Sequence, residues 1–358
     1  MNKNKLKKIF FKKKILITGN TGFKGSWLSL WMYSLGAKIL GISNGYPTNP
    51  SNFKDLNLKK KINFKKIDIK DYKKVKKAIL NFQPDFIFHL AAQAIVKKSF
   101  NNPKHTWETN TLGTVNILES LREIKKKVTV IIITSDKVYK NLEIHRGYNE
   151  KDILGGEDIY SASKSAADIA TQSYIKSILK SKKNIKVSIA RAGNVIGGGD
   201  WAPGRIIPDC IKEWSSNKIV KIRNPKSTRP WQHVLDVLFG YISLAIKLKN
   251  NKSLNGEAFN FGPKIEKRRE VINLVKEMNK IWKNGKWVVK KNKNFHESNL
   301  LQLNSKKAKK KLNWECKLNL KKSINLTAQW YKQYYLNKNK IFEFSISQIK
   351  KFESLVKK

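Results

Sequence analysis

Lys14-Ile-Leu-Ile-Thr18, a short apolar run, leads directly into Gly19-Asn-Thr-Gly22-Phe23-Lys24-Gly25 and then into a helical stretch from about Lys24 to Leu35. This order constrains the fold more than any other feature of the chain. A strand that ends in spaced glycines and hands over to a helix aims bare backbone amides, and the positive end of a helix dipole, at whatever lies above the turn. Gly19 permits the tight turn, Gly22 permits close approach of backbone to a ligand, and Gly25 lets the helix pack on the strand. The spacing is GxxGxxG, not GxGxxG, but its place after the first strand and at the opening of the first helix reads as a dinucleotide pyrophosphate cradle.

The remaining chain supports a sheet built for that site. AKILGIS, PDFIFHLAA, VTVIIITS and KVSIARAGNV are apolar, β-branched runs separated by helical stretches, the pattern of a parallel sheet covered on both faces. The fold class is α/β, a doubly wound Rossmann sheet with a smaller α/β substrate-binding cap. The expected division is 12–193 and 230–262 for the dinucleotide-binding domain, 194–229 and 263–336 for the cap, and 337–358 for a packed helical tail carrying Ile341, Phe342, Phe344, Ile346, Ile349, Phe352 and Leu355. Helices are expected from Cys210 to Ser216 and from His233 to Lys247, and the N-terminus reads as a short basic arm. No run approaches the ~18 apolar residues of a bilayer span, and Cys210 and Cys316 have neither metal-ligand nor disulfide spacing. A soluble protein of the reducing cytoplasm, without a metal site, is expected.

The charge is the misleading feature. Lys plus Arg number 74 against 26 acidic residues, a net +48, which alone would suggest a nucleic-acid partner. Only Arg122, Arg146, Arg191, Arg205, Arg223, Arg229, Arg268 and Arg269 are arginines. The lysines are dispersed, with runs at 59–61, 125–127 and 309–311, and they do not interleave with aromatics as a binding stripe would. They read as a solvated surface with no specific nucleic-acid or membrane partner. Arginine placed sparingly in so lysine-rich a chain marks positions that need the planar fork.

Tyr160-Ser-Ala-Ser-Lys164 opens a helix and so sets Tyr and Lys one turn apart on one face, where Lys164 can favour ionisation of the phenol and a Tyr of lowered pKa can take a proton from a substrate hydroxyl. Together with GNTGFKG, Asp68-Ile69 after the third strand, HLAAQ (His89 to Gln93), Asn110 in TNTLGT and the VTVIIITSDKVY strand, YSASK resembles the extended short-chain dehydrogenase/reductase family. The resemblance implies that Gly19, Gly22, Phe23, Lys24, Gly25, Asp68, Ile69, Leu90, Ala91, Ala92, Thr134, Tyr160 and Lys164 hold NAD. The second strand ends in Ile42-Ser43-Asn44 with no acid for a ribose hydroxyl, so strand two leaves NAD against NADP open. His89, on an apolar strand with no His or Cys spaced to join it, reads as a core histidine.

Thr134-Ser135-Asp136-Lys137 narrows the resemblance. With HLAAQAIVKKS, RAGNVIGGGDWAPGRIIPD, IRNPKSTRPWQHV and FNFGP it resembles the nucleotide-sugar 4,6-dehydratases, and among them those acting on CDP-glucose. That implies a redox-neutral hydro-lyase. Tyr160 would remove the C4 hydroxyl proton as hydride passes to NAD, with Ser135 on the C4 oxygen. Lys137, where the commoner relatives carry Glu, would take the C5 proton, and Asp136 would protonate the departing C6 hydroxyl. Gln93, Ser99, Asn110, Asn194, Arg205, Arg229 and Glu297 are expected on the CDP-glucose substrate, with the two arginines on its pyrophosphate and His296-Glu297 in the closing cap. Trp201 and Trp231 suit either a base-stacking or a core role. The resemblance also implies a dimer or tetramer that feeds deoxysugars of surface polysaccharide. A 4-epimerase, a dehydratase acting on another base, and a nucleic-acid-binding Rossmann regulator are the rival readings.

Overall fold

The computed structural model describes residues 3–264, 270–290 and 301–356. Its strands in chain order are β1 (Lys14–Thr18), β2 (Lys38–Ser43), β3 (Asn63–Lys66), β4 (Phe86–His89), β5 (Val128–Ile133), β6 (Ile185–Ala192), β7 (Val195–Ile196), β8 (Ile219–Ile222), β9 (Gln232–His233), β10 (Ala258–Phe261) and β11 (Lys286–Val289). Seven of them form one sheet in the order β10-β6-β5-β4-β1-β2-β3, parallel at every pairing. Alternation along β1 shows why the apolar runs are continuous. Ile15 and Ile17 join a core on one face with Trp27, Phe88 and Leu238, while Leu16 joins the other with Ile87, Val130 and Ile117. Both faces are covered, so neither can be polar.

The segment after β6 builds the second layer. β7 pairs with β9, and β8 pairs with β11, both parallel, beside helices Ile206–Ser215 and Val271–Trp282. The first of these starts four residues before the expected Cys210, because Pro208 sits in its first turn, where no intrahelical N–H is needed. The helix expected from His233 runs Val234–Asn250, with the His233 ring accepting from Leu235 N at 3.3 Å as its N-cap. The basic arm at the N-terminus is a helix, Lys3–Phe10, because Leu6 and Phe10 share one face and bury it. The tail forms helix Ile341–Leu355. Phe352 meets the Trp31 ring edge-on at 5.8 Å and Glu353 accepts from Trp31 Nε1 at 2.9 Å. The last helix therefore braces Phe23–Ser34, the helix that opens at the glycine-rich turn. Among the described residues no helix is long and apolar enough to cross a membrane.

Candidate active site at the sheet switch point

The strand order reverses between β1 and β4, and an open α/β sheet offers its ligand crevice at the carboxyl ends of such strands. Gly19 follows β1 with φ +69, and a Cβ there would lie 2.7 Å from Ala91 N beyond β4. A Cβ on Gly25 would lie 2.1 Å from Gly19 O, so any side chain at either position would collapse the turn. Gly22 is the N-cap of Phe23–Ser34 and offers no side-chain cap, which leaves the first-turn amides for a ligand phosphate. Asp68 spends one oxygen on Lys70 N at 2.9 Å, and Ile69 packs against Gly113. These residues fit a dinucleotide. His89 engages Thr18 Oγ1 at 2.8 Å and Thr114 Oγ1 at 3.1 Å, and burial drives it down to about 3, a core histidine pinning β1 to β4. Ser43 donates to Asn20 Oδ1 at 3.1 Å, so the end of β2 closes on the glycine-rich loop.

Tyr160, Ser135, Asp136, Lys24, Lys164 and Arg205 converge beside this crevice. Asp158 caps the helix Ile159–Ser177, accepting from Ser161 N at 3.0 Å. Lys164 is buried and donates to Ile133 O at 3.0 Å. Burial, then repulsion from Lys24, pulls Lys164 down to about 7, and Asp168 resists. Burial, then Arg205, pulls Lys24 down to about 8, and its ammonium reaches Tyr241 OH at 3.4 Å. The expected lowering of Tyr160 is not what the protein's own groups produce. Burial raises the phenol and Asp136 adds to this, while Ser135 and Arg205 act against them. Lys164 gives one of its three N–H donors to a backbone carbonyl.

Ser135 donates to Asp136 Oδ1 at 2.9 Å and accepts from Lys137 N at 3.3 Å. Asp136 is buried and raised by that burial, with Lys137 and Ser135 opposing. Lys137 is half-buried beside it. A carboxyl biased toward its protonated form next to an amine and a phenol is an acid-base set.

Several expected contacts are redirected inward. Thr134 donates to Asp168 Oδ2 at 3.1 Å, because successive strand residues face opposite ways and Ser135 takes the cleft side. Asn110 sits in a π-helical turn, Glu108–Leu112. It accepts from Gln93 N at 2.8 Å and donates to Ser163 Oγ at 2.9 Å, so it supports the site from behind. Gln93 satisfies its own side chain on Ile95 and Thr106, and the buried Ser99 back-bonds to Val96 O. Arg205 pairs with Asp200 Oδ2 at 2.7 Å and interacts with Tyr160. It therefore stands within electrostatic reach of the phenol. Asn194 is exposed, and its carbonyl accepts from Gln232 N at 3.0 Å. Arg229 donates to Thr228 O at 2.8 Å. Trp201 packs on Tyr334 and Tyr331 at 4.9 and 5.2 Å, and Trp231 is buried, so both are core aromatics. His296 and Glu297 lie outside the described residues.

Some residues that shape the site escaped the sequence reading. Asp168, one turn beyond Lys164, holds Arg191, and Arg191 Nη1 donates to Tyr139 OH at 2.9 Å. The scarcity of arginine was the available signal. Gly193 lies against Asp136.

Sheet, glycine-rich turn and the Tyr-xxx-Lys helix define an extended short-chain dehydrogenase/reductase. Residues 16–327 match the family described as GDP-mannose 4,6 dehydratase, and the chain belongs to that family. It is 38% identical over 327 residues to the CDP-glucose 4,6-dehydratase of Salmonella typhimurium, covering 90% of this chain and 91% of the relative. Its fold is similar to that of the Bacillus anthracis dTDP-glucose 4,6-dehydratase in complex with NAD, with TM-score 0.73, 23% identity and coverage of 90% and 97%. The UDP-glucose 4-epimerase of Thermotoga maritima with UDP-glucose superposes with TM-score 0.76 at 21% identity, covering 90% and 100%.

Proposed function

We propose that this enzyme is an NAD-dependent hydro-lyase that converts CDP-glucose to CDP-4-keto-6-deoxyglucose and water. The observation that carries the reading is the strand end Ser135-Asp136-Lys137 set against Tyr160, with Asp136 biased toward its protonated form. An epimerase, which returns hydride to the carbon it came from, needs no acid and base beyond the tyrosine. The Salmonella relative supports the CDP-glucose substrate. Gly19, Gly22, Gly25, Asp68 and the HLAA strand end would hold NAD, and Lys24 and Lys164 would flank it.

Bound NAD supplies a reversible hydride acceptor. Tyr160 takes the proton of the C4 hydroxyl, and Ser135 holds that oxygen. The C4 ketone acidifies the neighbouring C–H, and Lys137 takes the C5 proton. Asp136 gives its proton to the C6 hydroxyl, the C6–O bond breaks and water leaves. The hydride that bound NAD would hold would go back to C6 and a proton to C5, leaving no net oxidation.

Two parts of the chain would divide this labour, 12–193 with 230–262 on the cofactor and 194–229 with 263–336 on the sugar nucleotide. The exposed Trp107, Leu112 and Ile169 on neighbouring helices support self-association into a dimer or tetramer through that face. We place it in the cytoplasm, supplying deoxysugars for surface polysaccharide such as O-antigen, a use that a 4-keto-6-deoxysugar nucleotide supports. The test is turnover of CDP-, dTDP-, UDP- and GDP-glucose read by mass spectrometry. Loss of one water from CDP-glucose without consumption of added NAD is expected. Preference for another base, or epimerisation without water loss, would overturn the reading.

A further inference from the structure

Among the described residues, one oxygen of Asp136 is held by no hydrogen bond. Oδ1 accepts the Ser135 hydroxyl at 2.9 Å, whereas Oδ2 is buried without a partner. Since Ser135 donates to Oδ1, Oδ2 is the oxygen left to carry a proton when Asp136 acts as an acid. That atom rests against Gly193, where the chain leaves β6. A Cβ on Gly193 would lie 2.8 Å from Oδ2 and 3.4 Å from Asp136 Cγ, with the Pro230 ring next at 3.7 Å. Gly193 is absent from the glycines of positive φ, so the backbone at 193 admits any residue, and what only glycine supplies there is space.

We propose that Gly193 is a positioning residue for dehydration: its bare Cα seats the proton-bearing side of the Asp136 carboxyl. The inference rests on Asp136 as the proton donor to the departing hydroxyl. In that step the Asp136 O–H breaks, the proton bonds the C6 oxygen, the C6–O bond breaks, and the carboxylate left behind regains its proton from solvent. An added methyl at 193 would meet the tip of a flexible side chain, so the carboxyl would move and the fold would not. Asp136 would then be unable to keep both the Ser135 bond and its present seat.

The test is Gly193→Ala beside Asp136→Asn. With CDP-glucose, Gly193→Ala should oxidise C4 at a rate close to wild type. Its reduced-nicotinamide absorbance should then persist, with elimination slowed about 10- to 100-fold. In the unliganded protein the infrared carboxyl band of Asp136 should titrate at lower pH as the group is pushed out of its dry seat. Elimination at the wild-type rate in Gly193→Ala, with Asp136→Asn slow, overturns the seating role alone. Wild-type turnover by Asp136→Asn removes the proton donor and the seating role with it. Should Gly193→Ala fail to fold, Gly193→Ala combined with Asp136→Ala should fold, because the clashing carboxyl is gone. Failure of that pair as well would place the clash elsewhere and defeat the proposal.

Discussion

Arg191 and Asp168 form a two-pronged ion pair wholly inside the protein, Nε to Oδ2 and Nη2 to Oδ1, both at 2.8 Å. Asp168 stands one helical turn past Lys164 and also accepts from Thr134 at 3.1 Å. Arg191 lies on β6 and reaches Tyr139, whose hydroxyl donates to Asn260 on β10 at 2.7 Å. One network thus ties the helix of Tyr160 to β6, to β10 and to the segment that leaves β5. Asp168→Asn leaves a buried guanidinium short of its charge partner and should cost about 3 to 5 kcal/mol. Asp168→Leu with Arg191→Met should cost much less than the two single changes added together. Urea unfolding of wild type, Asp168→Asn, Asp168→Leu, Arg191→Met and the double variant measures both, and additive costs in the cycle would mean the pair is not coupled.

The parts of this enzyme that were legible in the sequence are those set by period and by local chemistry. The runs from Lys14 to Asn194 could be read because a parallel strand buried on both faces must be apolar throughout. The cradle could be read because glycines at Gly19, Gly22 and Gly25 have one economical use between a strand and a helix. What could not be read depends on direction and on distant neighbours. Thr134 and Ser135 look equivalent in TSDK, yet strand alternation sends the first to Asp168 and the second to the cleft. Gln93 and Ser99 also bond local carbonyls and amides, partners that a sequence pattern does not reveal. Gly193 meets Asp136 only through the pairing of β5 with β6, a contact with no local signature.

Stability should rise with pH in a way traceable to Lys164. Its folded value is about 7 against an ordinary 10.5, with burial the main cause. Between these values the unfolded chain binds a proton that the folded protein has released, so folding gains as pH increases through that window. Below about 7 both states are protonated and the cost of burying the charge is present in full. The slope due to this one group is at most about 1.4 kcal/mol per pH unit. Lys24, at about 8, acts in the same direction. Urea unfolding of wild type and Lys164→Met across the window isolates the effect, since the variant keeps Lys24 and nearly the same surface repulsion. A difference between the two that does not grow with pH would show that Lys164 is charged in the fold.

The net charge of +48 should act only as a diffuse field. The lysine runs at 59–61, 125–127 and 309–311 are exposed or half-exposed and lie in separate parts of the chain. Duplex DNA should therefore bind weakly and lose affinity steeply with salt, by roughly 10³-fold or more between about 50 and 200 mM if six or more phosphates are met. Fluorescence anisotropy over a salt series measures this. Tight binding that persists at physiological salt would favour the nucleic-acid reading.

Lys137 carries the sharpest prediction, because the proposed elimination requires a base there. It adjoins Asp136, and its backbone amide is held by Ser135, so its side chain starts from a fixed point beside the acid. Replacement by Met keeps the length and removes the proton acceptor. Tyr160 and Ser135 should still oxidise C4, so reduced-nicotinamide absorbance should appear on mixing with CDP-glucose. The C5 proton would then lack an acceptor, and elimination should fall 10²- to 10⁴-fold, the usual cost of losing a general base. Exchange of solvent deuterium into C5 should fall in parallel, and this separates a lost base from a misplaced acid. Gly193→Ala should slow elimination while leaving that exchange in place. Near wild-type turnover by Lys137→Met would put the proton acceptor elsewhere and leave Lys137 as one more solvated lysine.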